Sequence, residues 1–198
     1  MKLLAAIAAA LLLCCAAAAQ DFPSQSLTRG TWDFGAFIGG GLGLGKSSST
    51  QFFDAGGRAG LALTGEHLPG LLRGNFEWAV DAMPVYPVFT TKGVVYGGSF
   101  KPVIWQWNFT HGKRLAPYVA AAGGIVFTTS NVPPGDTSTV NFTSQLVVGT
   151  RIFTRSHRAF FFEGELGHLS NASLGNHNPG YNITLLFNVG YSWIKARR

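Results

Sequence analysis

The chain has 198 residues, of which 46% are hydrophobic, 13% aromatic and only 12% charged, with 26 glycines and a net charge of +6. That mix is too apolar for a disordered chain and too rich in glycine and β-formers for a helical one. The basic balance suits anionic lipid head groups and nucleic acid alike, so charge by itself selects no partner.

Lys2, the apolar run from Leu3 to Leu13 and the small residues Ala17-Ala18-Ala19 follow the order of a secretory signal, with cleavage expected after Ala19. The expected organisation is therefore a leader over 1–19 and a single domain over 20–198. Both cysteines, Cys14 and Cys15, fall in the leader, so neither disulfides nor thiolate metal sites are expected beyond it. No run of 18 apolar residues follows residue 19, which leaves no transmembrane helix.

Eight β-like segments separated by turn-rich breaks follow. The first, about Thr31 to Gly45, puts Trp32, Phe34, Ala36 and Ile38 on one face. The second, about Phe53 to Thr64, opposes Ala59, Leu61 and Leu63 to Arg58. In the third, Leu72 to Met83, Phe76, Trp78 and Val80 alternate with Asn75, Glu77 and Asp81. Segments over Val94 to Phe109, Ala116 to Thr129, Thr139 to Phe153, Ala159 to Ser170 and Tyr181 to Ile194 complete the set. In the last, Tyr181, Ile183, Leu185, Phe187, Val189, Tyr191 and Trp193 form one apolar face, and Asn182, Thr184, Asn188 and Ser192 line the other.

Segments of this length match the roughly 9–11 residues that cross a bilayer at a tilt. An even strand count, alternation and aromatic residues near strand ends point to an all-β fold, an eight-stranded antiparallel transmembrane β-barrel of the outer-membrane type. A soluble β-sandwich or lipocalin-like barrel also alternates. The two differ in whether Glu77, Asp81, Glu163 and Glu165 face the lumen or the surrounding water. If both termini lie in the periplasm, the breaks after the odd-numbered segments face the cell exterior.

The candidate site is His168-Leu169-Ser170-Asn171-Ala172, where the seventh segment runs out into a polar loop. Side chains alternate along a strand, so His168 and Ser170 share a face, their Cα atoms roughly 6.6 Å apart. An imidazole beside a serine hydroxyl is the pairing that makes a weak alcohol nucleophilic. Leu166, Gly164 and Phe162 lie on that same apolar face; Glu163 and Glu165 point the other way. His67, His111, His157 and His177 have no partners at metal-ligand spacing, and no metal or organic cofactor is implied.

His168-x-Ser170-Asn171-Ala172, followed by Asn178-Pro179-Gly180 and a closing Gly190-Tyr191-Ser192-Trp193, resembles the lipid A 3-O-deacylases of the PagL type. Arg114-Leu115-Ala116-Pro117-Tyr118, leading into Gly123-Gly124, is similar to that family as well. The resemblance implies an outer-membrane barrel carrying its active site on the outer wall. It also implies lipopolysaccharide as substrate, outer-membrane lipids as surroundings, and no role for nucleic acid. Ser170 would be the nucleophile and His168 its general base. The family's third member is a glutamate, and at its place two residues beyond Gly180 this chain has Asn182. By parity Asn182 faces inward and needs a β-bulge or a loop conformation to meet His168. The backbone amide near Asn171 and the side chain of Asn178 are the oxyanion candidates. Without the catalytic pair, the same features describe a catalytically silent small barrel with a structural or adhesion role.

Overall fold

The computed structural model describes residues 27–195 apart from 46–47, 113, 135–136, 176 and 178–180; Tyr181 and Asn182 are described by their backbone alone. The leader, Asn178 and the Asn-Pro-Gly element lie outside the described residues. Ten strands form: β1 (Trp32–Gly43), β2 (Gln51–Ala62), β3 (Gly74–Val85), β4 (Val88–Thr90), β5 (Gly93–Val95), β6 (Gly97–Phe109), β7 (Leu115–Thr128), β8 (Val140–Arg155), β9 (Arg158–Ser170) and β10 (Tyr181–Lys195). All neighbours are antiparallel, in the order β1-β10-β9-β8-β7-β6-β3-β2, and pairing of β1 with β2 closes the ring. The closed barrel thus has eight strands, matching the expected segments to within a few residues at each end. The difference is β4–β5, a short hairpin attached to the start of β2 through Gln51–Phe89 and Phe52–Val88. Its strands have three residues each, too short to carry a readable alternation.

One rim carries the start of β1 and the end of β10, where Trp32 pairs with Lys195. The opposite, distal rim carries the β4–β5 hairpin and the end of β9. Alternation sorts the side chains by chemistry. Leu146, Val148 and Phe187 stand more than half exposed on the outer wall. Asp33, Arg58, Asn75, Glu77, Asp81, Lys101, Gln106, Asn108, Arg151, Glu163 and Glu165 are buried in the lumen. Polar inside and apolar outside is the reverse of a lipocalin, and it settles the facing of the carboxylates. Around the rim with the termini, Trp32 stacks on Phe34 with ring centroids 5.7 Å apart, and Phe76 on Trp105 at 5.4 Å. Phe160, Tyr191 and Trp193 pack edge to face at 5.0 Å steps.

Charges in a narrow lumen persist only when paired and hydrogen-bonded. Arg58 donates from Nε and Nη2 to the two carboxylate oxygens of Asp81 at 2.7 and 2.8 Å, and from Nη1 and Nη2 to Glu163. The Tyr118 hydroxyl donates to Glu163 at 2.9 Å. Arg58 also lies over the rings of Phe161 and Phe37, at 5.3 and 5.8 Å. Lys101 holds Glu165 at 2.7 Å, and Arg151 bridges Asp33, Glu77 and Asn108. Two glycines make room for the rings in this network. A Cβ at Gly190 would sit 2.2 Å from the Phe161 ring, and one at Gly149 2.3 Å from Tyr118.

Apolar clusters cap the polar middle at both ends. Leu27, Ala116, Phe153, Ala159 and Ile194 close the rim with the termini. Phe52, Tyr86, Val88, Val126, Leu169 and Leu186, joined by Val132 of the β7–β8 loop, close the distal rim. Each buried Leu, Ile, Val or Phe among them contributes about 1.5–3 kcal/mol.

Candidate active site on the outer wall

His168 and Ser170 lie on the outer wall at the distal end of β9, both partly buried, with Leu169 turned inward between them. Leu169 is 2% exposed and belongs to the distal apolar cap. The strand segment that carries the pair is therefore pinned from inside the barrel. Glu163 and Glu165 face the lumen, as their parity requires, and are engaged by Arg58 and Lys101.

Across the sheet, His168 pairs directly with Ser144 of β8, and Ser170 with Phe142. Directly paired residues bring their Cβ atoms to about 4.5–5.5 Å, so the Ser144 hydroxyl stands beside the imidazole. Sequence reasoning missed Ser144, because strand alternation fixes a face but not the register between strands. Beneath His168 the wall is indented by about 440 Å3, between Ala121, Ser144, Leu146, Leu166 and Ile183.

On the other side, β9 meets β10 through a register shift. Leu169 pairs with Tyr181, but Gly167 pairs with Thr184, so Asn182 and Ile183 together stand opposite the single residue His168. Of the two arrangements that would let Asn182 serve His168, a bulge or a loop, the bulge is the one found at this step of the ladder.

Immediately past Ser170 the chain turns sharply. Ala172 and Ser173 have φ of 49° and 63°. Two consecutive left-handed residues other than glycine cost about 1–3 kcal/mol each, and such strain gathers at functional sites. Asn171 organises this turn. Its Nδ2 donates to the His177 carbonyl at 3.0 Å, its Oδ1 accepts from the Ser173 amide at 3.0 Å, and its carbonyl accepts from the Leu174 amide. The carboxamide of Asn171 is thus engaged by the loop.

Asp54 of β2 is buried in the lumen as well, and the one other described carboxylate is Glu66, which pairs with Arg73 near the rim with the termini. No described carboxylate stands on the outer wall beside His168. Nor do the described residues gather three or more His, Cys, Asp or Glu side chains in a metal-binding group.

A closed eight-stranded barrel with a polar lumen, an apolar exterior and a His-Ser pair on its outer wall defines a small outer-membrane-type barrel. Structural comparison agrees. The N-terminal β-barrel domain of Pseudomonas aeruginosa OprF matches with a TM-score of 0.53 and 16% identity, over 84% of this chain and 98% of that one. The outer-membrane enzyme PagL matches with a TM-score of 0.52 and 19% identity, over 81% of this chain and 98% of that one. At such identities these likenesses speak for the fold. Comparison with curated protein sequences returns no match. The sequence profile of the lipid A 3-O-deacylase (PagL) family, however, matches residues 64–192, a span that takes in His168, Ser170 and the β10 bulge. The chain belongs to the lipid A 3-O-deacylase (PagL) family.

Proposed function

We propose that this barrel is an outer-membrane lipid A deacylase that hydrolyses a 3-O-linked acyl ester of lipopolysaccharide by serine catalysis. The observation that carries the reading is the placement of His168 and Ser170 side by side on the apolar outer wall, two residues apart at the distal end of β9. A lipid substrate reaches such a site from within the leaflet, without leaving the membrane. With both termini in the periplasm, the distal rim lies level with the outer leaflet, where lipopolysaccharide resides.

Ser170 Oγ attacks the acyl carbonyl while His168 accepts its proton. The carbonyl oxygen becomes an oxyanion beside the Asn171 backbone amide. As that intermediate collapses, His168 returns the proton to the sugar oxygen. The 3-hydroxyl departs and the acyl group stays on Ser170. Water, deprotonated by His168, then releases the free fatty acid and restores the serine.

In this reading the group that orients the imidazole is Asn182, a neutral one. Asn182, at the position of the family's glutamate, sits in the stretch of β10 opposite His168, and Ser144 flanks it from β8. A neutral partner sets the tautomer by hydrogen bonding and offers no charge to the imidazolium, so a slower enzyme than one with a carboxylate is expected. The neutral partner is also what favours the silent-barrel reading.

A serine-directed fluorophosphonate tests the proposal. Peptide mapping of the refolded barrel should find the adduct on Ser170, and His168→Ala should suppress it. A barrel that takes up no adduct would instead support the structural role.

A further inference from the structure

The sheet register extends the site sideways. His168 pairs with Ser144, Ser144's strand-mate on β7 is Gly123, and Gly123 pairs with Val103 of β6. These positions form one row across the outer wall. The rows beside it are bulkier. On the distal side, Ser170 is followed by Phe142, Ile125 and Phe100; on the other, Leu166 is followed by Leu146, Ala121 and Trp105. A row with a serine and a glycine between such ridges is a furrow, and the indentation at His168 adjoins it at Ser144, bounded by Leu146, Leu166 and Ala121.

The furrow also has a direction. Continued past Val103, the row crosses β3 and reaches Ala59 and then Phe34. His168 is third from the distal end of β9, whereas Phe34 is third from the start of β1, at the opposite rim. The row therefore descends as it circles the barrel. From β9 to β6 it crosses three strand spacings, about 14 Å.

We infer that this furrow is the track for the scissile acyl chain, which runs from the Ser170 ester over Ser144 and Gly123 toward the cleft between Phe100 and Trp105. The inference rests on the deacylase reading and names the surface that selects its substrate's chain. An ester at the outer-leaflet level must send its chain toward the hydrocarbon core, and the descending furrow leads from the nucleophile in that direction. Its walls are apolar and its floor is low, as a methylene chain requires. Gly123 is the position that keeps the floor low. A Cβ there would meet nothing closer than the Thr143 carbonyl at 3.9 Å, so the fold does not demand glycine at this point.

The test compares p-nitrophenyl myristate with p-nitrophenyl butyrate on the refolded barrel, as wild type, Gly123→Leu, Gly57→Leu and Ser170→Ala. Gly57 lies on the outer wall of β2, two strands beyond the Phe100–Trp105 cleft where the track ends, and also has ordinary room for a Cβ. Because both esters are assayed on one preparation, their ratio does not depend on the fraction folded. The kcat/KM ratio of myristate to butyrate should fall about tenfold or more in Gly123→Leu and stay at the wild-type value in Gly57→Leu. An unchanged ratio in Gly123→Leu, with Ser170-dependent hydrolysis intact, overturns the track and leaves the esterase standing. Hydrolysis of neither ester by wild type overturns the deacylase reading and the track with it.

Discussion

His168 of β9 stands directly opposite Ser144 of β8, on the outer wall, so the imidazole is flanked by one serine across the sheet and a second, Ser170, along its own strand. The two hydroxyls take different parts. Ser170 is next to the strained turn at Ala172 and Ser173, where the proposed mechanism places the oxyanion; Ser144 is one strand removed from it. Ser170→Ala is expected to abolish ester cleavage. Ser144→Ala should lower kcat by about tenfold, by loosening the imidazole, with little change in KM. Steady-state kinetics on a soluble ester distinguish the two.

Asn182 supplies a second contrast. It lies in the β10 bulge opposite His168, and the proposed mechanism gives it the part of the family's glutamate. Restoring a charge there stabilises the imidazolium, so Asn182→Glu should raise kcat by about tenfold or more, within the roughly 10⁴ that separates acid from amide in the serine-protease template. A fall in kcat would mean that the chain has built its imidazole support elsewhere.

Leu169 links the site to the core. Its side chain is buried in the distal cap between the two residues of the pair. Leu169→Ala should destabilise the barrel by about 2–5 kcal/mol. It should also reduce activity under conditions where the barrel is still folded, because the segment bearing His168 and Ser170 loses its anchor. Urea unfolding in detergent, followed beside activity, separates the two effects.

The lumen makes a purely structural prediction. Arg58 satisfies Asp81 and Glu163 together, so Arg58→Met leaves two buried carboxylates without their cation. A loss of about 3–5 kcal/mol is expected from urea unfolding. The variant lies on the opposite face of the sheet from the outer-wall site. Folded Arg58→Met should therefore keep its Ser170-dependent activity.

Much of this architecture was legible because a strand's period of two is rigid. Glu77, Asp81, Glu163 and Glu165 fell on one face, and the apolar run of β10 from Ile183 to Trp193 on the other, before any partner strand was known. The same period placed His168 and Ser170 together outside. What the period does not encode is register. The Ser144–His168 pair, the furrow through Gly123 and the bulge between Tyr181 and Thr184 arise from how strands distant in sequence slide against one another. The β4–β5 hairpin escaped for a different reason: its pairing at Phe52–Val88 is carried by backbone hydrogen bonds over three residues, too few to leave a pattern.

The most direct measurement is mass spectrometry of lipid A after lipopolysaccharide is incubated with the refolded barrel, beside Ser170→Ala. Loss of one 3-hydroxyacyl group with the wild type, and intact lipid A with Ser170→Ala, is the predicted result. Intact lipid A in both, from barrels verified as folded, would contradict the account and leave this family member a scaffold without the activity.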